Sequence, residues 1–142
     1  MKIAIASDHG GFNLKNIIKD YLQIKGIEFV DFGTNDITSC DYPVFAKSVA
    51  KSILINECQR GILVCGTGVG MAIQANRFKG IRAVNCSDCY TAKMSRLHNN
   101  SNILTLGERV IGKGLALDIV ETWLNTNFEE GRHKRRIDML DD

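Results

Sequence analysis

The chain has 142 residues, 44% of them hydrophobic and 24% charged, and its formal net charge is +2. That composition is typical of one soluble globular domain, and the near-neutral balance favours neither nucleic acid nor an anionic membrane as a partner. No stretch approaches the ~18 consecutive apolar residues of a membrane span, and the apolar run before Asp8 is too short for a signal peptide. Five cysteines at irregular spacing argue against a disulfide framework, so we expect a reducing, cytoplasmic setting.

Short apolar runs alternate with amphipathic stretches along the chain. The runs predict buried parallel strands, at residues 2–7, 27–32, 61–66, 81–86 and 102–107. The stretches predict helices at residues 12–26, 42–55, 69–78, 89–98 and 114–125, with Asp41 as a plausible N-cap of the second and a helical tail from about residue 128. This alternation predicts an α/β fold, a single-domain three-layer sandwich over residues 1–142 with a doubly wound, five-stranded parallel sheet of Rossmann-like type.

The residues that follow each strand are candidates for a site, because ligands of a doubly wound sheet bind beyond the carboxyl ends of its strands. In chain order these segments read SDHGG, GTNDITSCDYP, CGTGVG, CSDCY and GERVIG. They predict a polar, glycine-rich rim that carries carboxylates, a histidine, thiols and an arginine.

The segment GILVCGTGVGMAI places Cys65 between the third strand and a glycine loop that opens a helix. Gly66, Gly68 and Gly70 allow the backbone to approach a ligand closely and to point N–H groups at an anion. One interpretation is a nucleotide site, although the loop matches neither G-x-G-x-x-G nor the P-loop pattern. A second is a catalytic thiolate beside an oxyanion site, which suits proton abstraction next to a carbonyl. A third is that Cys65 is a small buried hydrophobe.

Other polar clusters are further candidates, each with a plainer alternative. Asp8 and His9 follow the first strand, where Asp8 also suits a helix cap. His98 stands near a helix end, either as a helix C-terminal cation or as a general acid. Arg132 and Arg136 lie four residues apart and could clamp a phosphate, although such basic segments are usually only solvated.

Arg109 and the remaining cysteines complete the set of candidates. Arg109 follows the fifth strand and is therefore expected on the same rim. Cys86 and Cys89 form a C-x-x-C that could be a thioredoxin-like centre or half of a zinc site, but no second ligand pair has zinc spacing. Cys40 and Cys58 give no functional signal.

Taken as a whole, the chain resembles the type B ribose-5-phosphate isomerases, a family that also contains the subunits of galactose-6-phosphate isomerase. The resemblance rests on the segments SDHGGF, DYP, GILVCGTGVGMAIQANRFKGIRA, SRLHNNSNILTLGERVIG and GRHKRRI, which follow the family's order. It implies an aldose–ketose isomerase of the pentose phosphate pathway that interconverts D-ribose 5-phosphate and D-ribulose 5-phosphate through an enediolate. It also implies a homodimer, or a tetramer of two dimers, with each site shared between subunits and with no metal or other cofactor.

The resemblance further implies roles for individual residues. Cys65 would be the base that moves a proton between C1 and C2, and His98 would protonate the ring oxygen to open the furanose. Thr67 would lie close to the reacting carbons, and backbone N–H groups would stabilise the enediolate along the loop of Gly66, Thr67, Gly68, Val69 and Gly70. The sugar hydroxyls would be held by Asp8 and Asn99, and the 5-phosphate by His9, Arg109, Arg132 and Arg136.

Two alternatives stay open. The enzyme could act on galactose 6-phosphate or allose 6-phosphate, although the cysteine and the full set of arginines favour a self-sufficient pentose-phosphate enzyme. The same fold could instead be a non-catalytic module that binds a nucleotide or a sugar phosphate.

Overall fold

The computed structural model describes residues 1–142, in which strands and helices alternate as far as the fifth strand. The strands are β1 (Lys2–Ser7), β2 (Glu28–Asp31), β3 (Arg60–Cys65), β4 (Ala83–Asn85) and β5 (Ile103–Gly107). The helices are α1 (Phe12–Ile24), α2 (Tyr42–Leu54), α3 (Val69–Ala75), α4 (Cys89–Asn99), α5 (Lys113–Asn125) and α6 (Arg132–Ile137). A single 3-10 turn, His9–Gly11, joins β1 to α1.

The five strands form one parallel sheet in the order β2-β1-β3-β5-β4. The strand β2 lies on one side of β1, at the edge of the sheet. The three later strands lie on the other side of β1, in the spatial order β3, β5, β4. This reversal makes the sheet doubly wound, and it places a topological switch point between the ends of β1 and β3. The predicted α/β fold with a five-stranded parallel sheet is confirmed.

The two faces of the sheet carry separate hydrophobic cores because successive side chains of a strand point to opposite faces. On β3, Ile62 and Val64 pack with residues of α1 and α5 in the larger core. Leu63 and Cys65 point the other way and pack with residues of α2 and α3. The sheet is therefore the middle layer of three, and Cys65 belongs to the α2/α3 side.

The strand β4 is shorter than its predicted range of 81–86, and α3 ends at Ala75 where the sequence predicts residue 78. The side chain of Asn76, the residue after α3, pairs with the free edge of β4. Ala83 N donates to Asn76 Oδ1 at 2.7 Å, and Asn76 Nδ2 donates to Ala83 O at 2.9 Å. This amide takes the place of a further strand beside β4, while the backbone N–H of Asn76 closes the last turn of α3 by donating to Ala72 O at 3.1 Å. Asp41 occupies the predicted N-cap of α2, but its side chain makes no capping hydrogen bond.

The C-terminal tail, predicted as helical from about residue 128, contains the short helix α6. Its far end is fixed to the loop before β4, because Gly80 N donates to Asp141 Oδ2 at 2.8 Å. Glu129 N donates to Leu97 O at 3.1 Å and holds the start of the tail against α4. None of the six helices combines the length and the apolar character needed to cross a membrane.

Candidate active site

The carboxyl end of the sheet, where the strands finish at Ser7, Asp31, Cys65, Asn85 and Gly107, holds the glycine loop. Cys65 is the last residue of β3 and is 6% exposed. Gly68 N donates to Cys65 Sγ at 3.0 Å, so a backbone N–H group lies where it stabilises a thiolate. Four further N–H groups around the thiol make no hydrogen bond within the chain, namely those of Gly66, Thr67, Gly70 and Met71.

The loop is held in this shape by close packing that only glycine permits. Gly68 has a φ of +80°, in the left-handed region, and a Cβ there would lie 2.4 Å from Asn85 Oδ1. A Cβ on Gly107 would lie 2.7 Å from the backbone of Thr67. The loop is therefore pressed against the ends of β4 and β5, and its free N–H groups have a fixed direction.

Asp8 and His9 lie beside the loop at the switch point. Asp8 Oδ1 accepts from Gly10 N at 2.9 Å and from Gly11 N at 3.2 Å, which leaves Oδ2 free. His9 Nδ1 accepts from Cys40 N at 3.2 Å. An Nδ1 that accepts a hydrogen bond carries no proton, so the proton of the neutral ring lies on Nε2, where it can be donated to a ligand.

Arg109 extends the same group of residues from the loop after β5. Its backbone N–H donates to Gly66 O at 3.0 Å, and its guanidinium lies over Gly66, 3.2 Å from the position that a Cβ on that glycine would take. The guanidinium and the glycine loop are thus adjacent. The carboxyl end brings together Asp8, His9, Cys65, the loop residues 66–70 and Arg109.

The other predicted site residues, His98, Asn99, Arg132 and Arg136, lie at the amino end of the sheet, where the strands begin. Helix α4 runs from the end of β4 back to the start of β5, so its last residues are far from Cys65. The length of β5 alone, from Ile103 beside Gly61 to Gly107 beside Cys65, separates the two ends by roughly 13 Å at ~3.3 Å per residue. A single chain does not bring these four residues to the thiol.

His98 has a neighbour that the sequence analysis missed. Its ring stacks on that of His133, with ring centroids 4.3 Å apart and an interplanar angle of 14°. Glu129 Oε2 lies 3.9 Å from Nε2 of both histidines. Burial lowers the pKa of His133, and the charges of His98 and Arg132 add to this effect. No sequence spacing connects residues 98 and 133, because the tail alone brings them together.

The surroundings of the C-x-x-C motif do not favour a redox centre. Burial raises the pKa of Cys86 to about 12, and Asp88 adds to the shift. Such a thiol stays protonated near neutral pH, whereas a redox-active pair needs a reactive thiolate. Cys86 and the partly buried Cys89 instead contact the larger hydrophobic core.

The carboxyl end has the parts needed for proton transfer at a carbon next to a carbonyl. A thiol is the candidate base, free backbone N–H groups can receive the charge that develops on oxygen, and a carboxylate oxygen can hold a hydroxyl group. The glycine loop fits an oxyanion better than a dinucleotide, because it lies over a thiol and lacks the dinucleotide pattern. His98, the candidate general acid, lies at the opposite end together with Arg132 and Arg136.

Comparison with known proteins gives a consistent result over nearly the whole chain. The family described as Ribose/Galactose Isomerase matches residues 3–140. Ribose-5-phosphate isomerase B of Escherichia coli is 48% identical, over 98% of this chain and 93% of that protein. The structure of ribose-5-phosphate isomerase B of Clostridium thermocellum superposes with a TM-score of 0.98 at 54% identity, covering 99% of this chain and 95% of the other.

A third relative was solved with a sugar phosphate. It is ribose-5-phosphate isomerase B of Mycoplasma genitalium with bound ribulose-5-phosphate, which superposes with a TM-score of 0.93 at 44% identity. The match covers 96% of this chain and 91% of that one.

Proposed function

This chain belongs to the ribose/galactose isomerase family, and we propose from that premise that it interconverts D-ribose 5-phosphate and D-ribulose 5-phosphate. The reaction moves one proton between C2 and C1 through an enediolate and needs no redox cofactor. The observation that carries the proposal is the thiol of Cys65 among free backbone N–H groups at the carboxyl end of the sheet. We place the enzyme in the cytoplasm.

Cys65 acts as the base in this proposal. Its thiolate, stabilised by Gly68 N–H, takes the proton from C2 of the open-chain aldose and returns it to C1 of the enediolate. The negative charge that develops on the substrate oxygens is received by the free N–H groups of Gly66, Thr67 and Gly70. The N–H groups of Gly68 and Val69 already donate to Cys65 Sγ and Thr67 Oγ1. Thr67 is exposed at the centre of the loop, where its side chain can contact the reacting carbons.

The remaining groups orient the substrate. Asp8 Oδ2 and the amide of Asn99 hold sugar hydroxyls, and His98 gives a proton to the ring oxygen when the furanose opens. The phosphate lies at the other end of the sugar, where it is bound by His9, Arg109, Arg132 and Arg136. Binding energy from this distant phosphate holds a small substrate in a reactive position.

The separation of the two ends of the sheet supports a homo-oligomer with shared sites. His98, Asn99, Arg132 and Arg136 can serve a thiol only if they reach the carboxyl end of another copy of the chain. The exposed apolar side chains of Val69 and Ile73 lie on α3, directly after the glycine loop, and suit a subunit contact. A dimer with two-fold symmetry supplies two such composite sites, and two dimers make a tetramer.

The test is an isomerase assay on Cys65→Ala in EDTA with ribose 5-phosphate, with Cys58→Ala as the matched control. Both cysteines are buried, and they flank opposite ends of β3. Because a general base contributes at least about 100-fold, we expect Cys65→Ala to lose turnover by that factor or more. Binding of ribulose 5-phosphate, measured by calorimetry, should survive in Cys65→Ala, and Cys58→Ala should keep both properties.

Retained turnover by a folded Cys65→Ala protein would overturn the assignment of the base. Inactivity of the wild type toward ribose 5-phosphate would overturn the substrate, and galactose 6-phosphate and allose 6-phosphate are then assayed in its place. If no sugar phosphate is turned over, saturable binding of a nucleotide or sugar phosphate in the calorimeter would favour the binding module.

A further inference from the structure

We propose that His98, Glu129 and His133 form a binding site for one Zn²⁺ ion and that zinc bound there inhibits the enzyme. These side chains are the one group in the molecule whose histidine, cysteine and carboxylate ligand atoms converge, all within 4.8 Å of one another. The ion has no part in the proposed isomerisation. The inhibition rests on the proposed role of His98, whereas the binding does not.

The distances suit a tetrahedral ion once the exposed His98 ring turns out of its stack on His133. Glu129 Oε2 lies 3.9 Å from Nε2 of His98 and 3.9 Å from Nε2 of His133. Bonds of about 2.1 Å in a tetrahedral zinc site place neighbouring ligand atoms roughly 3.4 Å apart. The two imidazole rings are stacked at an interplanar angle of 14°, so their Nε2 lone pairs are nearly parallel and His98 must turn out of the stack to face a shared ion. The three ligand atoms lie within 4.8 Å of one another, so closure needs movements of at most about 1.4 Å. The side chains of His98 and Glu129 are 41% and 52% exposed and have room to make these movements without disturbing the core.

His133 provides the fixed ligand. Its side chain is 7% exposed, and its Nε2 atom is buried with no hydrogen-bond partner. A buried polar atom without a partner is unfavourable, and coordination of a metal ion would satisfy it. The backbone around it is anchored as well, since His133 N donates to Glu130 O at 3.1 Å and Glu129 N donates to Leu97 O at 3.1 Å.

The surrounding charge decides which ions can bind. Arg132, Lys134, Arg135 and Arg136 lie on the same short helix as His133 and oppose any cation. Mg²⁺ and Ca²⁺ depend on several oxygen ligands and have only one carboxylate here. Two imidazoles and a carboxylate favour Zn²⁺, which gains enough from its nitrogen ligands to bind despite the basic helix. A water molecule would complete the tetrahedron.

Binding at this site removes His98 from the reaction. An imidazole that gives its Nε2 lone pair to a metal cannot carry a transferable proton on that nitrogen. If His98 opens the furanose ring, zinc therefore blocks that step. The substrate phosphate, drawn to Arg132 and Arg136 beside the cluster, should weaken the inhibition when sugar phosphate is in excess.

The binding test measures zinc affinity by competition with a chromophoric chelator. The protein is the Cys65→Ala variant, because that thiol could bind zinc itself. In this background, Glu129→Gln and His133→Asn each remove one ligand and should weaken binding at least about tenfold. Glu130→Gln is the matched control, since it removes the adjacent carboxylate, which is not in the cluster. Circular dichroism confirms that each variant is folded.

The expected result is one zinc ion per Cys65→Ala chain, with affinity lost in both ligand variants and kept in Glu130→Gln. The site would be overturned if the Cys65→Ala protein and its His133→Asn derivative had equal affinity for zinc. It would also be overturned if Glu130→Gln lost as much zinc affinity as Glu129→Gln. In the active protein, zinc should inhibit wild type more strongly than His133→Asn, each relative to its own rate in EDTA. Because the binding test needs no activity, failure of the isomerase assignment would be seen separately.

Discussion

The two ends of the sheet carry different kinds of chemical group. At the carboxyl end the groups belong mainly to the backbone, with a buried thiol and a buried carboxylate, and glycines hold them by close contact. At the amino end the candidates are side chains of α4 and α6, and Asn99, Arg132 and Arg136 are all exposed. Proton transfer needs fixed donors, whereas a phosphate can order flexible arginines as it binds.

The two ends are also stabilised differently. The amino end is built on the buried Arg96 and the half-buried Arg60 and Arg82, whose partners are mainly backbone carbonyls. Arg96 donates to Thr126 O at 3.1 Å, and Arg60 donates to Trp123 O at 3.0 Å. Burial, with the nearby charges of Arg60 and Arg82, lowers the pKa of Arg96 to about 10. These arginines join α4, α5 and β3, so the His98 end of α4 rests on a hydrogen-bonded base although Asn99 at its end is exposed.

The largest expected effect tests whether the two ends work together across subunits. Cys65→Ala and His98→Asn should each be nearly inactive alone. When the two chains are co-expressed and assemble at random, half of the dimers are mixed, and each mixed dimer has one intact site. We expect about one quarter of wild-type activity to return, because two-fold symmetry pairs each end with the partner's opposite end. The measurement is turnover per total subunit.

The control is co-expression of wild type with a chain that carries both substitutions. Shared sites leave every mixed dimer inactive, so activity falls to about one quarter of the all-wild-type value, whereas sites within one chain would leave about one half. Absence of recovery in the first mixture, together with one half in the second, would show that Cys65 and His98 serve the same chain.

The carboxyl end could be predicted from sequence and the amino end only in part. The rule that ligands bind beyond the carboxyl ends of parallel strands places Asp8, Cys65 and Arg109 together without further information. No comparable rule places His98 or Arg132, since the position of a tail depends on tertiary contacts such as that of Asp141 with Gly80. The roles proposed for them come from the resemblance to a family, and the pairing of His98 with His133 became visible only in three dimensions.

A smaller effect is expected from Lys15, which holds the carboxyl end together. Its buried Nζ donates to Asp31 Oδ1 at 2.9 Å and to Thr34 O. The backbone of Gly33 and Thr34 in turn hydrogen-bonds to Ser7 at the end of β1. Lys15→Met should lower the free energy of unfolding by about 3 kcal/mol, because it leaves a half-buried carboxylate with fewer partners. Lys19→Met, which removes the more exposed partner of Asp31, should cost less than about 1 kcal/mol. Urea denaturation measures both.

Acid provides a check on the same ion pair. Burial alone raises the pKa of Asp31, but hydrogen bonds from Lys19, from Gly33 N–H and from Lys15 outweigh it and lower the pKa below 3.8. A carboxylate with a lowered pKa stabilises the fold above its unfolded pKa, and this stabilisation is lost as pH falls through the folded pKa. The stability difference between wild type and Asp31→Asn should therefore shrink below about pH 4. A difference unchanged down to pH 2 would contradict the ion pair's contribution.

The smallest effect is expected from substitution of Cys86. This substitution tests what distinguishes Cys86 from Cys65, the other buried thiol near a strand end at the carboxyl end of the sheet. Cys65 and Cys86 are both buried near strand ends, but only Cys65 has a backbone N–H donor on its sulfur. Burial raises the pKa of Cys86 to about 12, which disfavours the thiolate that a base requires. Cys86→Ala should leave turnover within about twofold of wild type and cost roughly 1 kcal/mol of stability, the loss expected for a small buried side chain. A drop in turnover comparable to that of Cys65→Ala, without unfolding, would show that the backbone donors do not distinguish the function of Cys65 from that of Cys86.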